Sequence, residues 1–188
     1  TSSKKYLQDT RINFIDLAFS DSEKLKKQLK EYNFKCVFHL AGLTKAKRKE
    51  DFERVNYEFT KNLVDAIDVN TTKLIFLSSF AAHGPGDEKT FAKAKVSDIN
   101  NPNTAYGFSK LKAEEYINSN FKGKYVILRP TGVYGPRETD YFVFFQTINN
   151  HLEPYLGFVP QHLTFVYSKD LVDLCIKAFE SEISGKTY

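Results

Sequence analysis

Short apolar runs alternate with longer segments of helical periodicity along this 188-residue chain, and that alternation leaves few architectures open. The runs near residues 11 to 15, 35 to 40, 73 to 78 and 125 to 129 have the length and β-branched or aromatic content of strands. Between them, residues 21 to 32, 50 to 69 and 105 to 121 carry apolar side chains at helical spacing. This rhythm predicts an α/β fold, with parallel strands covered by the helices that connect them. Ser20 followed by Glu23 reads as a capping box for the first helix. Ser168 reads as the cap of a last helix that turns Leu171, Leu174, Cys175 and Ala178 inward. From about Tyr141 the rhythm breaks, and Tyr141, Phe142, Phe144, Phe145, Tyr155, Phe158 and Phe165 crowd a stretch interrupted by Pro154, Gly157 and Pro160. Packing explains most of these rings and a substrate wall the others.

Three groups at predicted strand and helix ends carry chemistry. The run at 73 to 78 ends in Ser78-Ser79, and Tyr106 and Lys110 stand four residues apart where a helix should begin after Asn101-Pro102-Asn103-Thr104. Moving hydride to or from a carbinol carbon requires exchange of the hydroxyl proton, and a phenol with its ordinary pKa of about 10 is a poor base at neutral pH. An ammonium one helical turn away shares a face with it and favours the phenolate. Ser79 would hydrogen-bond the reacting oxygen and orient the substrate. Tyr57 and Lys61 repeat the spacing, but inside an amphipathic pattern with no serine-tipped strand before them. Ser79, Tyr106 and Lys110 are therefore the expected catalytic residues of a hydride-transfer site.

The ordered motifs are similar to those of the extended short-chain dehydrogenase/reductase family, the NAD(P)-dependent epimerase/dehydratase group. They are Asn13-Phe-Ile-Asp-Leu17, Val37-Phe-His-Leu-Ala-Gly42, Val55-Asn56, Leu77-Ser-Ser79, Tyr106-Gly-Phe-Ser-Lys110, Arg129-Pro-Thr-Gly-Val-Tyr-Gly-Pro136 and Phe165-Val-Tyr-Ser-Lys-Asp170. The resemblance implies a Rossmann-like doubly wound parallel sheet with NAD or NADP as cofactor. It places Asp16 and Leu17 against the adenine, and the backbone of Ala41 and Gly42 close to the cofactor. Asn56 would hold a kinked helix and a water leading to Lys110. Pro130, Thr131 and Val133 would face the carboxamide, with Ser78, Tyr106 and Lys110 completing the cofactor site. Substrate would meet Ser79, Tyr134 and Arg137, the last able to grip a diphosphate or to pair at the surface. His83 stands where family members commonly carry tyrosine and reads as a loop histidine; His39 reads as a packed strand residue. Asp170 suits a helix N-terminus.

One family element is absent: no G-x-x-G-x-x-G motif occurs, and Met is missing throughout. The expectation is an internal piece of a longer protein that begins after the second strand of the fold and stops where a strand of the substrate lobe should start. Residues 1–140 would form a partial dinucleotide-binding domain, and 141–188 part of the substrate lobe plus a returning helix. The sheet would then lack the strands between 11 to 15 and 35 to 40, leaving the first of these loosely held, paired elsewhere, or an open edge near Val37 to Leu40. Without the pyrophosphate turn the chain should bind NAD(P) weakly and be inactive alone.

Composition narrows the partners. Basic and acidic residues are mixed, 27 against 23, which disfavours nucleic acid. The run Lys45-Ala-Lys-Arg-Lys-Glu-Asp reads as a surface loop. Cys36 and Cys175 lack metal-type spacing and read as buried thiols in a reducing cytoplasm. No stretch approaches a membrane span. Phe80-Ala-Ala follows Ser79 where dehydratases of the family place Thr-Asp-Glu, so an epimerase of nucleotide sugars or a ketone reductase is favoured. The alternative is a dinucleotide-binding sensor or scaffold without turnover. The resemblance also implies a homodimer through the helices at 50 to 69 and 105 to 121.

Overall fold

A computed structural model describes residues 6–87, 90–152 and 162–188. Its central sheet is parallel, in the order β1 (Cys36–His39), β2 (Lys73–Leu77), β3 (Tyr125–Leu128) and β6 (Lys186–Thr187). Val37, Leu74 and Tyr125 share one level across its first three strands. A second, two-stranded parallel ribbon joins β4 (Gly132–Tyr134) to β5 (Phe165–Tyr167).

The helices are α1 (Ser22–Lys30), α2 (Lys49–Phe52), α3 (Phe59–Ala66), α4 (Ala105–Asn120), α5 (Phe142–Asn149) and α6 (Ser168–Glu180). Alternation along the middle strand builds two cores. Leu74 and Phe76 face Leu25 and Leu29 of α1, Leu63 and Val64 of α3, and Ala113 and Ile117 of α4. Ile75, with Val126 and Leu128, faces Cys175 and Ala178 of α6. Covered on both sides, β2 reads as a continuous apolar run because neither face meets water. Lys73, at its start, is the exception that fits: the ammonium donates to the carbonyls of Ala178 (2.6 Å) and Ser181 (2.5 Å), satisfying the open end of α6.

Several boundaries differ from the sequence expectation, each for a tertiary reason. The run at 11 to 15 is not a strand: Ile12, Phe14 and Ile15 are all exposed, and the chain meets the core only at Leu17 and Phe19. A strand needs a neighbour's edge for its backbone groups, and β1 pairs only with β2 among the described residues. The first helix is capped by Asp21, which accepts from the Lys24 N–H at 3.0 Å, one residue later than Ser20. Ser168 is the first residue of α6, after Tyr167, and does not cap it by its side chain. Leu174 lies on the outer face of that helix, 44% exposed, because the inward stripe is Leu171, Cys175 and Ala178. The segment at 50 to 69 is no uniform helix, since a π-helical turn at Glu53–Glu58 separates α2 from α3. A strand the sequence reading did not include also forms: β6 extends the main sheet beside β3, with the Arg129 N–H donating to Tyr188 C=O at 2.7 Å.

Beyond β4 the aromatic residues form a cluster around the ribbon. The Tyr141 and Phe165 rings meet edge to face at 5.0 Å, and Tyr134 lies 5.7 Å from Phe145 and 5.4 Å from Tyr167. Tyr155 and Phe158 lie outside the described residues.

Candidate active site

The carboxyl ends of β1, β2 and β3 meet the N-terminus of α4, and the expected catalytic residues come together there. Thr104 caps the helix by accepting the Gly107 N–H at 3.0 Å, which sets Tyr106 and Lys110 in its first two turns. Gly107 lets α4 press against the turn after β2, where an added Cβ would lie 2.3 Å from the Ala81 carbonyl oxygen. Gly107→Ala should therefore cost about 1–3 kcal/mol and push Tyr106 away from Ser79, read as a lower midpoint in urea.

Two residues past β2, Ser79 has extended backbone and caps the turn Phe80–Ala82 by accepting the Ala81 N–H at 3.2 Å. The Phe80 N–H donates to Pro130 C=O at 2.9 Å, fastening this turn to the loop after β3. The Ser79 hydroxyl lies close enough to the Tyr106 phenol to pull its pKa down. Burial outweighs it, so the phenol stands above its ordinary value, with Tyr141 adding to the rise. The acidified phenol expected from the sequence is thus not the state of this structure. Lys110 is 3% exposed, and its ammonium is turned onto the Leu77 carbonyl at 2.7 Å and the Phe76 ring at 4.4 Å. Desolvation brings its pKa down to about 8, against an opposing pull from Glu114.

Asn56 sits in the π-helical turn, 1% exposed. Its Oδ1 accepts the Leu43 N–H at 2.7 Å, while Nδ2 donates to Leu43 C=O and to Ser109 Oγ, both at 3.0 Å. Ser109 in turn donates to Tyr106 C=O at 2.7 Å. One amide thus joins the loop after β1 to the helix that carries Tyr106. The wide turn is a kinked helix of the expected kind, and π-turns recur at functional sites. Beneath it the His39 Nε2–H donates to Thr60 Oγ1 at 2.8 Å, because the Thr60 hydroxyl hydrogen is already given to Asn56 C=O at 2.7 Å. Burial first, and the Lys110 charge second, depress the His39 pKa to about 3, so the ring is neutral.

The other expected site residues divide. Gly42 belongs to the group: a Cβ there would stand 3.3 Å from Asn56 Oδ1 and 3.7 Å from Lys110 Nζ, so only a bare backbone fits beside the lysine without displacing the amide. Ala41, before it, is exposed at the same edge. Pro130, Thr131 and Val133 are half-buried on the path from β3 into β4. Ser78 turns its hydroxyl away, donating it to the Glu114 carboxylate. Asp16 lies before α1, where its carbonyl accepts from Gln28 Nε2 at 2.9 Å, and Leu17 packs against the core. Tyr134 lines a cavity of about 250 Å³ with Phe142, Phe145 and Tyr167. Arg137 has φ 73° and lays its guanidinium over the Tyr6 ring at 4.6 Å.

The competing pair is occupied on the helix surface. Lys61 pairs with Asp65 at 2.8 Å, and Tyr57 meets Tyr116 edge to face. The basic run is likewise engaged, with Lys45 on Asp140 at 2.6 Å and Arg48 and Arg54 both on Asp51 at 3.1 Å. His83 stacks on Phe80 at 5.0 Å.

Sequence reasoning missed Glu114, Arg129, Thr60 and Ser109 as parts of this assembly, and Tyr141 as a neighbour of the phenol. The signal for Glu114 was present: it follows Tyr106 and Lys110 at the same four-residue spacing, between the core positions Ala113 and Ile117.

The family described as the NAD dependent epimerase/dehydratase family matches residues 1–188. The chain belongs to the NAD-dependent epimerase/dehydratase family. Among curated relatives, the 3 beta-hydroxysteroid dehydrogenase/Delta 5-->4-isomerase of Vaccinia virus (strain Ankara) is 30% identical over 155 residues, covering 74% of this chain and 44% of the relative. The chain thus spans less than half the length of that relative. A crystal structure of Bacillus cereus UDP-glucuronic acid 4-epimerase in complex with NAD superposes with a TM-score of 0.79 at 23% identity, covering 98% of this chain and 61% of that one. Helicobacter pylori ADP-L-glycero-D-manno-heptose-6-epimerase does so with a TM-score of 0.73 at 27% identity, covering 92% and 57%. These epimerases share the Rossmann fold seen here. For a family defined by a dinucleotide, the grouping of Gly42, Asn56 and Lys110 fits one end of such a cofactor, while the glycine-rich turn for its pyrophosphate has no counterpart in the sequence.

Proposed function

We propose that this chain carries the reacting residues of an NAD(P)-dependent oxidoreductase or epimerase, acting at a hydroxyl or keto carbon of a nucleotide sugar or small ketone. The observation that carries this reading is the Ser79–Tyr106 hydroxyl pair with Lys110 buried one turn along the same helix. NAD or NADP, when bound, supplies or takes up the hydride. Ala41, Gly42, Asn56, Pro130, Thr131 and Val133 are the residues that would hold it, with Ser78, Asp16 and Leu17 at its margins.

Tyr106 exchanges the substrate hydroxyl proton. Its raised pKa makes the phenol the resting form, suited to protonating the oxygen of a ketone as that carbon is reduced. In the oxidising direction the phenol must lose its proton, a loss that Lys110, one turn along the same helix, would offset once its ammonium turns from the Leu77 carbonyl toward the phenol. Ser79 donates a hydrogen bond to the same oxygen, where charge develops. Tyr134 and the rings around it would form the wall against the substrate, with Arg137 at its edge. A cytoplasmic homodimer through the helices at 50 to 69 and 105 to 121, and a division near residue 140 between cofactor and substrate lobes, complete the reading. The free thiols Cys36 and Cys175 fit a reducing compartment.

Two activities of relatives bracket the substrate: one acts on a hydroxysteroid, the other on a nucleotide-linked heptose. Product analysis separates them by class, since epimerisation regenerates the cofactor, whereas hydroxyl oxidation forms NAD(P)H and ketone reduction consumes it. Tyr106→Phe in the intact enzyme should lower kcat about a hundredfold or more with the fold unchanged. Full activity in that variant would end the reading of Tyr106 as the acid/base. The 188-residue chain alone should show little affinity for NAD(P) by calorimetry.

A further inference from the structure

Glu114 is the most deeply buried carboxylate among the described residues, 2% exposed on α4, one turn beyond Lys110. It is saturated. Arg129 grips it as a fork, through Nε at 3.0 and 3.1 Å and through Nη2 at 2.5 Å, and the Ser78 hydroxyl donates to Oε1. The remaining arm of Arg129 donates to Asn100 Oδ1 at 2.9 Å, in the segment that leads into α4. Four pieces of chain therefore converge on one carboxylate: the ends of β2 and β3, the approach to α4, and α4 itself.

A buried ion pair is a poor source of stability, because desolvation consumes most of its Coulomb energy. What this one does have is position. Ser78 lies between Leu77, whose carbonyl holds the Lys110 ammonium, and Ser79, whose hydroxyl meets Tyr106. Arg129 lies beside Pro130, whose carbonyl holds the Phe80 N–H of the turn after Ser79. Ser78 is thus bonded in the chain to one member of the reacting set, Ser79, and to Leu77, which holds another.

We propose that Glu114 is a positioning residue: by holding the Ser78 hydroxyl and the Arg129 guanidinium it fixes the carboxyl end of β2, and so sets where the Leu77 carbonyl and the Ser79 hydroxyl meet Lys110 and Tyr106. This rests on reading Ser79, Tyr106 and Lys110 as the reacting residues. The carboxylate also acts on the lysine directly, its charge favouring the ammonium against the desolvation that opposes it.

Two variants test it with two readouts. Ser78→Ala cuts one tether and leaves the ion pair in place, so the fold should survive. In the intact enzyme kcat should then fall about tenfold with KM held, as small misplacements of reacting groups do. In the chain itself the Lys110 side-chain resonance, followed by NMR through a pH titration, should move its midpoint away from about 8. Glu114→Gln removes the charge and should lower that midpoint. A lower melting temperature in Ser78→Ala, with kcat per folded molecule and the Lys110 titration both as in the wild type, would reduce Glu114 to a structural brace and overturn the proposal. So would an unmoved midpoint in Glu114→Gln. The NMR arm needs no turnover, so it decides the linkage to Lys110 even where Tyr106→Phe leaves activity intact and the proposed reaction fails.

Discussion

Acidifying the folded chain from pH 6.5 to pH 3 should remove about 4 kcal/mol of stability through a single side chain, His39. The direction follows from which state takes the proton. In the unfolded chain the imidazole titrates at its ordinary value near 6.5, whereas in the fold burial and the Lys110 charge hold it neutral down to about 3. Above pH 6.5 neither state is protonated and the full stability is present. Below it the unfolded state gains a proton that the native state refuses, and each pH unit costs about 1.4 kcal/mol until the native ring titrates as well. Carboxylates also titrate in this range, so the measurement is a difference. His39→Gln keeps a donor for Thr60 Oγ1 but cannot titrate, and its urea-unfolding free energy should fall less steeply than the wild type's between pH 6 and 4. Parallel curves for the two proteins would show that the ring is hydrated or charged in the fold. The effect reaches function because His39 and Thr60 support the π-helical turn that presents Asn56.

Arg129→Leu should destabilise the chain by about 3–5 kcal/mol, a large share of the stability of a domain this size. The loss comes less from the vanished attraction than from what is left behind: a carboxylate buried under α4 with only the Ser78 hydroxyl for company. Replacing both partners tests that account. The double variant Arg129→Leu/Glu114→Leu removes the stranded charge, and should recover most of the loss in thermal or urea unfolding even though the same ion pair is gone. If the double variant is as unstable as the single one, the pair is worth its attraction outright and the desolvation argument is wrong. A stabilised double variant would still be a poor enzyme under the positioning role assigned to Glu114.

Local signals in the sequence were enough for the parts of the site that depend on neighbours in the chain. The turn residues before Thr104 announce the start of α4, and the four-residue spacing then puts Tyr106 and Lys110 on one face; the structure begins that helix at Ala105. The apolar runs at 35 to 40, 73 to 78 and 125 to 129 appear as β1, β2 and β3, since a strand covered on both faces is nearly all apolar. Ile12, Phe14 and Ile15 carry an equally good strand pattern, yet they stay exposed and form no strand because pairing depends on a partner edge elsewhere. The last residues show the reverse. Nothing in Lys186-Thr187 marks a strand, and the free edge of β3 makes one.

The order of residue types along the chain determined the fold class, the three core strands and the grouping of Ser79, Tyr106 and Lys110. Caps, turns and periodicity act over a few residues, so the sequence contains their cause. Only the tertiary structure decided the charge states: His39 neutral, the Tyr106 phenol raised, the Lys110 ammonium lowered, and Glu114 sealed beneath them by Arg129. Those depend on burial and on groups brought from distant parts of the chain, and no local pattern encodes how much water a side chain will lose.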